Sequence, residues 1–279
     1  MAPTLNIVGA GKVGRVLGRL FAESGAFCVQ DVLTRSAGSA LDAVGFIGAG
    51  RAVTGMEQMR AADAWMLAVS DDQIAPACAQ LAALQALNGR VVFHCSGAKS
   101  SLDLQPALDA GAATASVHPV RSFADPAQVA AHFTGTFCGI EGDRRALAML
   151  ATALAAIGAQ AVPLDAAAKT VYHAASVFAS NYLVTVMDAA LRSYQAAGMS
   201  EETARALAAP LATETLANVL RMGPAKALTG PIARGDTATV ARQQDALDGW
   251  DGETGQLYRA LALATSGLAR RTDMQGGQK

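Results

Sequence analysis

Only four cysteines occur in 279 residues, at Cys28, Cys78, Cys95 and Cys138. None lies close enough to another to form a knuckle, so a disulfide scaffold and a zinc site are both excluded and reduced thiols are expected. Charge is scarce at 16%, and its balance of 22 basic against 23 acidic residues leaves a net −1. No block of like charge stands out, which argues against the basic stripe that a nucleic-acid partner requires. Long runs of large apolar side chains are lacking as well. Residues Ala146 to Leu164 and Thr170 to Met187 are free of charge, but the first is mostly alanine and the second carries His173, Ser176, Ser180, Asn181 and Thr185. Neither has the density a membrane span needs, and both are expected as buried elements of a soluble chain. The first residues enter a strand pattern with no basic and apolar leader, so no signal peptide and a cytoplasmic location are expected.

What is abundant is alanine, 63 residues by count, together with 27 glycines and a hydrophobic share of 52%. Such a chain buries a sizeable core. Over the first 160 residues short apolar runs alternate with helical patterns. Strand candidates are Leu5 to Val8, Phe27 to Leu33, Trp65 to Val69, Arg90 to Cys95, Ala113 to Val117, Gly135 to Ile140 and Ala159 to Pro163. Strands alternating with helices imply crossover units and a largely parallel sheet. After Pro163 the strand signals stop. One long helix is expected over Asp165 to Gly198, then a helix capped by Ser200, then two more after the break at Leu228 to Pro231. The fold class is therefore α/β: a doubly wound sheet over residues 1–163, followed by an all-helical domain over 164–279.

The segment Gly9-Ala10-Gly11-Lys12-Val13-Gly14 follows a strand pattern and opens a helix. In that context G-x-G-x-x-G is a dinucleotide fingerprint: a tight turn, close approach of backbone to pyrophosphate, and close helix–strand packing. The similar string Gly45 to Gly50 has no strand before it and is expected to be a flexible turn. At the end of the second strand Asp31 is spaced to reach a ribose 2′-hydroxyl, but the strand runs past it to a tip of Thr34-Arg35-Ser36. An arginine between two hydroxyls suits a 2′-phosphate, so the cofactor expected is NADP. Val69 and Ser70, in the loop after the Trp65 strand, are expected to border it.

On the long helix, Lys169, His173, Ser176 and Ser180 fall on one stripe at 100° per residue among apolar neighbours. A lysine one turn from a histidine suits proton delivery, with Lys169 as donor and His173 as relay or positioner. Ser96 and His118 stand in loops at strand carboxyl ends, where ligands of open α/β sheets bind. Arg121 and Arg234 are candidates for gripping a carboxylate. No metal site is expected.

These motifs, with Leu33 to Ser36, His94 to Gly97, Val117 to Phe123, Tyr172 to Val184 and Leu228 to Asp236, resemble the bacterial Rossmann-like and DUF2520 domain-containing proteins. The wider superfamily includes β-hydroxyacid dehydrogenases, pyrroline-carboxylate reductase and prephenate dehydrogenase. The resemblance implies a lysine proton donor at Lys169, with His173 where β-hydroxyacid dehydrogenases and ketopantoate reductase carry asparagine. It implies for Ser96 and His118 places beside the nicotinamide, and a homodimer through the helical domain. The expected activity is NADP(H)-dependent hydride transfer with a small carbonyl or imine substrate; the alternative is a non-enzymatic NADP-binding sensor or scaffold.

Overall fold

In the computed structural model, which describes residues 1–276, the chain divides into two compact units, Met1–Ser180 and Asn181–Lys279. The first is built on an eight-stranded sheet: β1 (Thr4–Val8), β2 (Cys28–Leu33), β3 (Arg51–Val53), β4 (Ala64–Leu67), β5 (Val91–His94), β6 (Ala113–Pro119), β7 (Phe137–Gly142) and β8 (Gln160–Pro163). Their order across the sheet is β3-β2-β1-β4-β5-β6-β7-β8, parallel except that β6 and β7 run antiparallel. Its helices are α1 (Lys12–Glu23), α2 (Ala37–Ile47), α3 (Ile74–Leu84), α4 (Gln105–Asp109), α5 (Pro126–Ala131), α6 (Arg144–Ala156) and α7 (Lys169–Ala179).

Alternate residues of the central strands feed two apolar layers, one on each face, as expected of a parallel sheet covered on both sides. Leu5, Ile7 and Met66 join Leu17, Phe21, Leu150 and Leu154 in one layer, while Val8, Trp65 and Leu67 join Ile74, Cys78 and Leu81 in the other. Strand β3 is the element the sequence reading passes over. It follows directly on Phe46 to Gly50, which is neither a cofactor loop nor a free turn. Gly48 stops α2 in the left-handed conformation, at φ 77°, where a side chain is strained.

Asp31 is held inside this unit. Its carboxylate is fully buried, accepts 2.9 Å and 3.1 Å bonds from the Arg60 guanidinium and 2.8 Å from the Arg60 amide, and takes a further 3.0 Å bond from Arg51. Burial alone would raise its pKa; the hydrogen bonds from Arg60 and Arg51 outweigh that and hold it below the usual carboxylate range.

The second unit is helical: α8 (Asn181–Ala196), α9 (Glu201–Met222), α10 (Pro224–Ala227), α11 (Thr237–Trp250) and α12 (Gly252–Gly276). Ser200 caps α9, its hydroxyl accepting from the Thr203 amide at 3.1 Å. The single helix expected over Asp165 to Gly198 is divided: a short 3₁₀ turn, Ala166–Ala168, leads into α7, and Ser180 departs from helical dihedrals before α8 begins. The expected domain boundary at 163/164 coincides with the end of β8, whereas the first compact unit runs on through α7.

One expectation fails outright. The stretch Thr170 to Met187 is not buried: of α7 only Lys169 is, and Val171 and Val184 are 77% and 70% exposed. The physical reason is that α7 reaches the sheet mainly through its polar side chains, leaving its apolar ones outward. Residues Ala166–Ala196 are long and apolar enough to cross a membrane by length and composition alone.

If Asp31 is structural, Asp31→Ala should lower unfolding stability by about 2 kcal/mol, the scale of an emptied buried hydrogen-bond site. Urea denaturation measures this; an unchanged midpoint would return Asp31 to the role of a free ribose ligand.

Candidate functional site

The glycine turn is shaped by contact. Gly9 has φ +81°, and a Cβ there would stand 2.7 Å from the Ala68 carbonyl oxygen; one at Gly14 would stand 2.7 Å from the Gly9 carbonyl oxygen. These two hold β1, α1 and the end of β4 together. Gly11 is different, since nothing lies within 4 Å of its missing side chain. It is the N-cap of α1 and no side chain caps the helix there. The amino end of α1 thus faces open space with its amides and partial positive charge free for an anion.

That space is a cleft of about 1070 Å³ lined by Val8 to Gly11, Arg15, Thr34, Arg35, Ser39, Gly55, Glu57, Val69, Ser70 and Gln73, among others. It shares Gly11, Ala68, Val69 and Ser70 with a second hollow of about 380 Å³ lined also by Lys12, Val13, Asp71, Ser96, Gly97, His118, Arg121 and His173. Arg35 and Thr34 therefore line the first hollow and the two histidines the one adjoining it. Ser36 is not among the lining residues. Its hydroxyl caps α2 by accepting from the Ser39 amide at 3.2 Å, and Ser39 takes the place on the wall. Lys12 reaches the Ala124 carbonyl at 3.0 Å.

The histidine end is assembled by β6, β7 and α7. The antiparallel register sets Ser116 opposite Glu141 and His118 opposite Gly139, so that the two pairs lie on one face. Nδ1 of His118 is 2.9 Å from the Tyr172 hydroxyl, and its ring meets those of Tyr172 and His173 edge-on at 5.5 and 5.6 Å. Both histidines press on the loop after β5: a Cβ at Gly97 would collide with His173 Cδ2 and stand 2.7 Å from His118 Nε2. That loop is set by Ser96, whose hydroxyl accepts from the Ala98 and Lys99 amides at 3.1 and 3.0 Å. The Ser96 amide donates to His94 Nδ1 at 3.2 Å, which leaves His94 Nε2 to donate to the Ser100 carbonyl at 3.0 Å.

Lys169 lies one layer deeper than the expected stripe implies. It is 1% exposed and does not line the cleft. Its ammonium donates to the Ser96 carbonyl at 3.0 Å and to the Ser116 hydroxyl, and stands 3.7 Å from a Glu141 carboxylate oxygen. Glu141 in turn accepts from the Ser101 amide and hydroxyl at 2.8 and 2.7 Å. Burial lowers the Lys169 pKa, and Glu141 opposes the shift. The stripe is thus split: His173 reaches the cleft and Lys169 braces the wall behind it. Arg121, a candidate carboxylate grip, is engaged by the His132 carbonyl and the Thr136 hydroxyl. Arg234 belongs to the second unit. Burial pushes the Cys95 thiol up to about 12, away from the thiolate form. The sequence reading missed Tyr172, Ser116, Glu141 and Ser101. Tyr172 adjoins His173, but only the antiparallel pairing of β7 shows what it faces.

Burial, with His173 and Lys169 nearby, lowers the His118 pKa from an ordinary 6.5 to about 4. The neutral ring is the stable one in the folded chain. Unfolding restores its ordinary proton affinity, so the unfolded state binds an extra proton between about pH 6.5 and 4, and stability falls as pH falls through that window. The loss of urea midpoint from pH 7 to 4.5 should be shallower in His118→Asn; parallel curves for the two proteins would contradict a neutral buried His118.

Comparison with known proteins now gives the family context. Residues 3–119 match the Rossmann-like domain and residues 136–265 the domain of unknown function DUF2520, and the chain carries both. No curated protein matches the chain. Among solved structures, a Thermotoga maritima protein is similar at 27% identity and TM-score 0.71, over 96% of this chain and 99% of its own. A Bacteroides fragilis protein provisionally described as an NADP oxidoreductase is similar at 18% identity and TM-score 0.76, over 95% of this chain and 98% of its own. An imine reductase from Myxococcus stipitatus in complex with NADP+ shares the fold at 16% identity and TM-score 0.66, over 98% of this chain and 95% of its own.

Proposed function

We propose that this chain, with its Rossmann-like and DUF2520 domains, is an NADP(H)-dependent oxidoreductase acting on a small carbonyl or imine compound. The observation that carries this reading is the pair of adjoining hollows, with Gly11 at the open amino end of α1 on the wall they share and the His118–His173 pair lining one of them. The residues present fit the dinucleotide. Gly11 leaves the space a pyrophosphate requires, and Arg35 with Thr34 offers a guanidinium and a hydroxyl at the ribose end. Asp31, already consumed by Arg51 and Arg60, is not free to favour an unphosphorylated ribose. Solved reductases that share the fold include complexes with NADP+ and with NADPH, which supports the same reading.

Bound in the groove, a reduced nicotinamide supplies a hydride to an electrophilic carbon. The chain's own residues do the remainder. His118 and His173 meet the substrate's oxygen or nitrogen and hold it by hydrogen bonds, and His173 returns a proton as the carbon is reduced. Ser96 and Gly97 form the floor beneath them. Lys169 serves from behind, fixing the Ser96 carbonyl, Ser116 and the start of α7. On this reading the proton donor is His173, in contrast to the lysine role implied by the superfamily.

The outward apolar side chains of α7 and α8, with Leu216 and Leu220 of α9 exposed by 45% and 78%, support a homodimer. Light scattering should then give about twice the 28.4 kDa chain mass; a monomer at micromolar concentration would refute it.

NADPH should bind the purified protein more tightly than NADH, and Arg35→Ala should remove most of the difference. In single-turnover reduction of a cyclic imine or small keto acid, His173→Asn should slow hydride transfer about a hundredfold, the usual worth of a positioned acid, and His118→Asn about tenfold, the worth of one orienting hydrogen bond. Equal affinity for the two cofactors would overturn the NADP assignment, and unaltered rates in both variants would overturn the histidine roles.

A further inference from the structure

We propose that Tyr172 is a positioning residue for His118: its phenol donates to Nδ1 and so fixes the imidazole in the tautomer whose Nε2–H is turned toward Gly97 and the cleft. The tautomer follows from the site's geometry alone, while its use in the reaction rests on the oxidoreductase reading above.

The contact is built from several directions. The phenol oxygen is 2.9 Å from His118 Nδ1 and the rings are nearly perpendicular, at 88°. The strand residue opposite His118 is Gly139, and a Cβ there would come within 2.5 Å of the same phenol oxygen. A glycine at this register position therefore makes the space the hydroxyl occupies. Tyr172 sits three residues after Lys169, whose buried ammonium ties the first turn of α7 to Ser96 and Ser116, so the helix that carries the phenol is anchored.

The proton inventory then selects one arrangement. A neutral imidazole carries a single N–H, and the other nitrogen accepts. Burial keeps His118 neutral and raises the Tyr172 pKa, so phenol and imidazole are both uncharged at neutral pH. The phenol is the better donor and the imine-type nitrogen the better acceptor. If Nδ1 instead held the proton, it would donate to the phenol oxygen, and the phenol hydrogen would have to turn away from the imidazole and lose it as an acceptor. With the phenol donating, Nδ1 accepts and Nε2 carries the hydrogen.

A division of labour between the histidines follows. For His118 to give up the Nε2 proton outright, the phenol proton would have to pass to Nδ1 and leave a phenolate that burial disfavours. His118 accordingly polarises and orients the substrate's heteroatom by donating a hydrogen bond, and proton delivery falls to His173 beside it.

The chain has only four histidines, His94, His118, His132 and His173, so ring-nitrogen NMR of the full-length protein labelled with 15N-histidine resolves each tautomer at pH 7. His118→Asn identifies the His118 signals by their loss. The expected result is a proton on Nε2, with the other tautomer below about one part in ten, and relaxation to the mixture of a free imidazole in Tyr172→Phe. A proton on Nδ1, or a ratio unmoved by Tyr172→Phe, would overturn the proposal. Should Tyr172→Phe disturb folding, as its backbone amide spectrum would reveal, the tautomer of the unsubstituted protein decides alone. No cofactor or substrate enters this measurement. Its failure leaves the oxidoreductase reading standing, and a failure to bind NADPH leaves the tautomer standing.

Discussion

A single buried ammonium organises the histidine end of this molecule. Lys169 reaches under the sheet ends and joins the loop after β5, the middle of β6, the acid of β7 and the first turn of α7. Burying a lysine is costly unless its donors are used, and a carboxylate left behind without it would be costlier still. The arrangement is therefore all or nothing. With Glu141, Ser116 and the Ser96 carbonyl in place, α7 has one position along the sheet, and the side chains it carries next, Tyr172 and His173, have one approach to His118. Reactive geometry at the cleft is inherited from a charge that never touches it.

Groups inside and outside this bracket divide according to solvent. His118, Cys95 and Lys169 are all pushed toward their neutral forms by burial. For Lys169 the Glu141 carboxylate opposes that shift, so the group held neutral at the cleft is His118. The adjoining hollow favours negative charge through the amino end of α1 and Arg35.

Much of this could be read in the sequence, for identifiable reasons. The alternation of strand and helix, the glycine turn and the arginine tip of β2 are local patterns, and local patterns survive without coordinates. His118, His173 and Ser96 all line the same hollow, although His118 belongs to β6 itself and not to the loop expected after it. What escaped depends on pairing between distant segments. The antiparallel turn of β7 sets Gly139 against His118 and Glu141 against Ser116, and no residue in β7 announces its direction. The helical wheel placed Lys169 and His173 on one stripe correctly, but a long flexible side chain at a helix start dives beneath the sheet while an imidazole one turn later stays at the rim. The charge-free stretch after Lys169 was expected inside, because apolar character signals burial without saying against what.

The fate of Asp31 bears on how such a protein could be redesigned. The acid that would read an unphosphorylated ribose is used as a mortar between β2, the arginine of β3 and the segment before β4. Recruiting it to a new ligand would loosen the edge of the sheet that shapes the ribose end. On the proposed NADP reading, a change of preference must therefore bring a new carboxylate to the strand tip and leave the old one where it is.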